Sequence, residues 1–302
     1  LCLPKRKSRW RWRRHSRLAA SAVPTATADR QRVARSSYRV RFAGGSGFEL
    51  AGIIDRPDDV SAPPVAVFSH CFTCNKDLKA IVRISRGLAE HGIAVLRFDM
   101  TGLGGSEGDF SQTSFTTNKA DLHAAIEFAG IELGRVTALL GHSFGGAASL
   151  AVAGSTEQRE NNLRAVVALA APSDTQHLAL LLDSMSPEIE SAGRGTVSIG
   201  GRHWQIRRQM LEDFRKHDLP AALTKIRAAT LLLHSPHDAT VGFDHAIRIM
   251  GLIQSSTETS TPVSLVSLDG ADHLLSEKQS DIQYVTATVA AFVNRYAQPE
   301  GK

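Results

Sequence analysis

The sequence predicts an α/β domain built on a mostly parallel, doubly wound central sheet, and three observations carry that expectation. Short Val-, Leu- and Ile-rich runs recur: "PVAVFSH" (64–70), "IAVLRFD" (93–99), "RVTALLG" (135–141), "LRAVVALAA" (163–171), "ATLLLHS" (229–235) and "PVSLVSL" (262–268). Runs of this kind mark strands buried on both faces. Helix-period segments alternate with them, and an antiparallel pair, "YRVRF" and "FELAGIID" around Gly44, Gly45 and Gly47, comes first.

The chain has 302 residues and is 42% hydrophobic, enough for a large core without disulfide staples. Three cysteines exclude a disulfide framework and suit a reducing compartment. The net charge of +5 is unevenly spread. Residues 1–41 hold 13 Lys or Arg against Asp29 alone, which leaves 22 basic and 29 acidic residues in the body, near −7. Residues 1–35 are therefore expected to be a basic, disordered arm, and 36–302 the folded domain. The arm has no apolar run of signal-peptide length, and nothing in the chain approaches the roughly 18 apolar residues of a membrane span. The expected location is the cytoplasm. Organellar targeting by the Arg- and Ser-rich arm is the alternative, and Trp10 and Trp12 among its arginines leave polyanion contact open. No nucleic-acid partner is expected for the folded domain.

After the hairpin, Ile81, Ile84 and Leu88 share one helical face, as do Leu122, Ala125, Ile126 and Ala129. The last helix is expected to open with Ser276 and Gln279 in capping-box spacing and to align Ile282, Val285, Val289, Phe292, Val293 and Tyr296. One interval breaks the rhythm. Residues 172–229, about 58 between two strands, exceed any ordinary connection. They contain an apolar helix-like piece (Leu178 to Leu182), a glycine-punctuated stretch (Gly193, Gly195, Gly200, Gly201) and a charged helix-like piece from Trp204 to Lys216. Such an insertion is expected to be a lid over the strands' C-terminal ends, where open α/β sheets bind ligands.

The sharpest chemical signal is "LLGHSFGGAA" (139–148), in which an apolar strand runs through Gly141-His142-Ser143-Phe144-Gly145 into small helix-forming residues. In a G-x-S-x-G of this context, the glycines admit a tight strand-to-helix turn that presents the serine hydroxyl at the top of the sheet. A serine needs a base, and the base an orienting acid. Asp238 follows "ATLLLHS" and His273 follows "PVSLVSL", which is the order Ser, acid, His, each on the loop after a later strand. Asp174 in "APSD" occupies the other loop able to host the acid. Asp269 and Asp272 are expected to brace the loop of His273, His142 to pack at the elbow, and His234, His237 and His245 to be solvated. "DMTGLGGSEGD" (99–109) fails the dinucleotide spacing, because Glu107 stands where a third glycine is needed, so a tight loop beside the site is expected and no cofactor. "SHCFTCNKD" (69–77) holds a C-x-x-C, Cys71 and Cys74, with too few ligands for a metal.

With these stretches in place, residues from about Tyr38 to Tyr296 resemble an α/β-hydrolase fold enzyme. Within that superfamily they are similar to a bacterial group in which the hydrolase is often fused to an OsmC-like thiol peroxidase domain. The resemblance rests on "SHCFTCNKDLKAIVRISRGLAEHGIAVLRFDMTGLGGSEGDF", "GHSFGGAASL", "IGGRHWQIRRQMLEDF", "LLLHSPHDATVG" and "SLDGADHLLSEK". It implies a serine hydrolase of carboxylesterase type that cleaves small to medium acyl esters through Ser143, His273 and Asp238. Thioesters and peptides are variants for the same machinery. The chain ends at Lys302, so the thiol chemistry of a fused partner is not expected. The oxyanion donors implied are the N–H groups of Phe144 and Phe72, with Cys71 where many relatives carry a glycine. Redox modulation is the alternative left open for Cys71 and Cys74, in which a disulfide between them, or oxidation of either thiol, distorts that loop and switches hydrolysis off. Two rival readings are a redox or stress accessory protein working through Cys71 and Cys74, and an idle binding scaffold. Leu178, Leu181, Leu182, Trp204 and Met210 are candidates for an apolar pocket wall, and Arg202, Arg207 and Arg208 for attraction of an acidic substrate.

Overall fold

The computed structural model describes residues 32–155, 163–255 and 260–298. An eight-stranded sheet in the order β1-β2-β4-β3-β5-β6-β9-β10 forms its centre. Strands β1 (Arg35–Ala43) and β2 (Glu49–Pro57) are the expected hairpin, closed by a turn with Gly47 at φ +82°. β2 also pairs antiparallel with β4 (Ala94–Phe98), and the other contacts, among β3 (Val65–Ser69), β4, β5 (Val136–His142), β6 (Ala165–Leu169), β9 (Ala229–His234) and β10 (Val263–Ser267), are parallel.

Side-chain alternation along the strands feeds two cores. Val65, Val67, Leu96, Leu139 and Val166 pack with helices α2 (Phe115–Leu133) and α3 (Phe144–Ala153) on one face. Ala66, Phe68, Val95, Leu140 and Val167 pack with α1 (Lys79–Glu90) and the last helix, Gln279–Tyr296, on the other. β10 departs from the expectation of burial on both faces. It is an edge strand, and its residues are half-buried or exposed.

Most of the 1–35 arm lies outside the described residues. Its end is part of the domain, since Arg32 and Arg35 both pair with Glu90 at 3.3 Å and β1 begins at Arg35. The last helix begins at Gln279, with Lys278 as its N-cap and no side-chain cap, two residues later than the capping-box spacing predicts. Ser276 is engaged elsewhere: its hydroxyl and its amide both donate to the Asp272 carboxylate.

The insertion holds α4 (Gln176–Met185), α5 (Glu188–Ala192), α6 (Arg208–Lys216) and α7 (Leu219–Leu223), with a two-stranded sheet, β7 (Arg194–Ile199) and β8 (Arg202–Arg207), between α5 and α6. Trp204 is thus on a strand and not on a helix. Gly200 and Gly201, at φ +59° and +74°, join Ile199 to Arg202 by a two-residue turn that other residues adopt poorly.

Two charges lie inside the apolar sheet. Arg97 on β4 is 1% exposed; its Nε donates to Asp55 on β2 at 2.9 Å, and its Nη1 donates to Asp77 and to the Lys76 carbonyl. Ser85 of α1 donates to the same Asp55 at 2.6 Å. Removing one partner of such a pair strands a buried charge. Arg97→Met is therefore expected to lower unfolding free energy by about 3 to 5 kcal/mol, and Arg97→Met with Asp55→Leu to recover much of that, both read from urea denaturation.

Candidate active site

The parallel strands end on one edge, and the loops that follow them meet there. β5 ends at His142, α3 starts at Phe144, and Ser143 between them takes φ +53° and ψ −118°. That conformation is costly for a residue with a side chain. It is held by the Ser143 N–H, which donates to the Leu169 carbonyl of β6 at 2.8 Å, and by glycines that let the backbones close in. A Cβ on Gly145 would collide with the carbonyls of Ser69 and His70, and one on Gly141 with the carbonyl of Gly145.

His273, in the loop after β10, reaches Ser143. Its Nε2 lies 3.0 Å from Ser143 Oγ and its Nδ1 lies 2.7 Å from Asp238 Oδ2. Asp238, after β9, accepts through Oδ1 from the N–H groups of Thr240 (2.8 Å) and Val241 (3.0 Å). Burial by itself pushes this carboxyl up, but the hydrogen bonds from His273 and the two amides outweigh it and hold Asp238 below the usual carboxylate range. The three side chains expected to act together are thus adjacent.

The competing groups are engaged elsewhere. Asp174 pairs with Arg248 at 2.8 Å and accepts from the His177 N–H. Asp272 accepts from the amides of Leu274, Ser276 and Glu277, bracing the loop of His273, while Asp269 meets the exposed His237. His234 is not solvated: it is buried, with Nε2 2.8 Å from the Val241 carbonyl. His245 is half-buried and accepts from the Ser173 N–H. His142 Nε2–H donates to the His273 carbonyl at 2.7 Å, and its ring lies 5.1 Å from that of His273. Burial, with the His273 imidazole beside it, pushes the His142 pKa down to about 4.

Phe72 and Phe144 meet edge to face, with ring centroids 5.5 Å apart, and Phe110 and Phe214 complete an aromatic cluster around Phe72. Trp204 packs on Phe110 at 4.9 Å. Leu182 and Met210 are fully buried packing residues, and Leu178 and Leu181 are half-buried. Arg207 donates to Ser111 Oγ, and Arg202 is exposed. Cys71 and Cys74 form a disulfide. Cys71 does not use a glycine-like backbone; Thr73 does, at φ +60°.

One group escaped the sequence reading. Asp99, fully buried after β4, accepts from the Lys76 amide (2.6 Å), Lys76 Nζ (2.7 Å) and the Gly105 amide (2.8 Å), tying the loop after β3 to the loop after β4. The only sequence signal was a pair of charges, Arg97 and Asp99, in a run otherwise apolar. Among the described residues, no group of three or more His, Cys, Asp or Glu side chains is placed to hold a metal ion, and no helix is long and apolar enough to cross a membrane.

This fold and this edge define a class. The profile of the Alpha/beta hydrolase family matches residues 66–282, more than half of the chain, and the chain belongs to that family. Among solved structures it is similar to the esterase domain of a Rhodothermus marinus protein, at 36% identity over 87% of this chain and 99% of that one, with a TM-score of 0.66. It shares its fold with Est1E from Butyrivibrio proteoclasticus, solved with ferulic acid bound (20% identity, 85% and 98% covered, TM-score 0.67). The mouse alpha/beta hydrolase domain-containing protein 10 is comparable (19%, 85% and 99%, 0.66). No curated protein matches by sequence.

Because His142 is neutral when folded, the unfolded chain binds a proton that the folded chain does not between pH 6.5 and about 4. Stability is expected to fall as pH drops through that window, by on the order of 2 to 3 kcal/mol from this residue. Urea midpoints at pH 7 and pH 4.5 test this, and His142→Gln, which keeps a donor for the His273 carbonyl, should show a smaller loss than the parent.

Proposed function

We propose that the chain is a serine carboxylester hydrolase acting on small to medium acyl esters. The observation that carries this reading is His273 standing between Ser143 Oγ and Asp238 Oδ2, at 3.0 and 2.7 Å. His273 takes the Ser143 proton through Nε2, and the serine oxygen attacks the ester carbonyl. Asp238 fixes the proton of Nδ1 and stabilises the imidazolium. His273 then protonates the departing alcohol, and later activates the water that releases the acid from the acyl-enzyme.

The tetrahedral oxyanion is held by two backbone donors. One is the Phe144 N–H, at the first residue of α3, where the helix dipole favours negative charge. The other is the Phe72 N–H, from the loop after β3. Neutral His142 beneath His273 adds no positive charge against the imidazolium. The insertion acts as a lid over this edge, and the Phe72, Phe110 and Trp204 rings favour an apolar acyl or alcohol group. The likeness to an esterase domain at 36% identity supports ester over other acyl chemistry. The chain is read as an enzyme with no cofactor.

Assay of p-nitrophenyl esters of increasing chain length tests the reading. Ser143→Ala is expected to lower kcat by on the order of 10^4 to 10^6, and Asp238→Asn by about 10^4. A Ser143→Ala form that hydrolyses as fast as the parent would remove the proposal. A fluorophosphonate probe should add its mass to the parent and not to Ser143→Ala.

A further inference from the structure

The disulfide between Cys71 and Cys74 has no part in the hydrolysis described above, yet it brackets one of its donors. The peptide group that joins Cys71 to Phe72 has two polar ends: the carbonyl belongs to Cys71 and the N–H to Phe72. This peptide is trans, so the two ends point opposite ways and turn as one rigid unit. Whatever holds the carbonyl therefore aims the N–H.

The Cys71 carbonyl is held twice. It accepts from His70 Nδ1–H at 2.8 Å and from the Cys74 N–H at 3.2 Å. His70 is itself fixed, because its Nε2 accepts from the Met100 N–H at 3.1 Å. The second bond closes a tight turn over Phe72 and Thr73, and that turn places Thr73 at φ +60°, a conformation that a β-branched residue adopts only under constraint. The disulfide ties the two ends of this turn together. It coexists with the hydrogen bonds that join Ser143, His273 and Asp238. The formed bond thus accompanies an assembled set of Ser143, His273 and Asp238 contacts.

We propose that the Cys71–Cys74 disulfide is a positioning element of the oxyanion hole: the oxidised chain is the fully active form, and reduction slackens the Cys71–Phe72 peptide and slows acyl transfer. The inference rests on the Phe72 N–H being an oxyanion donor. The reductant is a dithiol. Its thiolate attacks one sulfur, the S–S bond breaks and the other sulfur leaves as thiolate. The second thiolate of the reductant then resolves the mixed disulfide. Two electrons and two protons pass to the chain, which ends as two thiols, and the reductant ends as a cyclic disulfide. Ser143, His273 and Asp238 lose no partner in this step, so the effect falls on the transition state and not on substrate binding.

The test uses the full chain with Cys2→Ser, so that Cys71 and Cys74 are its only cysteines. It is assayed with p-nitrophenyl acetate before and after dithiothreitol, thiol content being confirmed by alkylation and mass. Cys74→Ala is assayed beside it. The expected result is a kcat about tenfold lower in the reduced and Cys74→Ala forms, within the roughly 100- to 1,000-fold limit for complete loss of one donor. KM should stay within about twofold, a phenylboronic acid inhibitor should weaken in step with kcat, and oxidised dithiothreitol should restore the reduced form. An unchanged or higher kcat with both thiols free would overturn the inference, as would a rise in KM alone. If these occur while Ser143→Ala is inactive, the hydrolase reading stands and only this inference fails. If Ser143→Ala is as active as the parent, both fall.

Discussion

The site depends on one strained residue. At φ +53°, Ser143 turns the chain from β5 into α3 within a single position, which puts its Oγ above the sheet and the Phe144 amide at a helix N-terminus. Strain of this kind costs about 1 to 3 kcal/mol and persists only where the surroundings over-determine it. Here they do so from both sides. β6 accepts the Ser143 amide through Leu169, and the loop after β3 lies so close that Gly145 has no room for a Cβ. The central place of β5 between β3 and β6 is thus what makes the elbow sustainable.

The loops that complete the edge are held by polar contacts that the apolar core cannot supply. Asp99 binds the loop after β3 through Lys76 and the loop after β4 through Gly105, and Arg97, two residues earlier, joins the same segment to β2 through Asp77 and Asp55. Buried charges add little net stability when paired, but they are strict about geometry. His70 acts in the same sense, since its ring fixes the Cys71 carbonyl at one end and the Met100 amide at the other.

The insertion meets the domain through aromatic and polar contacts. Phe214 packs on Phe144 and Phe72, and Asp213 of α6 accepts from the amide and hydroxyl of Thr116 at the start of α2. The aromatic cluster is thus shared between insertion and core. Movement of α6 would expose the face of Phe72 that it covers.

The sequence alone determined the alternation of strand and helix, the elbow around Ser143 and the chain order of Ser143, Asp238 and His273, because each is a local pattern: a period, a turn that requires glycine, or a residue just past a strand. Packing in three dimensions selected which carboxylate faces His273, since Asp174 and Asp238 follow neighbouring strands and differ in what surrounds them. It likewise decided that β7 and β8 form a hairpin, that β10 is an edge, and that Ser276 serves Asp272 and not a helix. It alone brought Lys76 to Asp99, and it joined Cys71 to Cys74 beside Phe72. The physical reason is separation along the chain. His273 and Ser143 stand 130 residues apart, and no periodicity spans such a distance. Backbone geometry is written in neighbouring residues, whereas a side chain's partner is chosen by what the packed sheet places within reach.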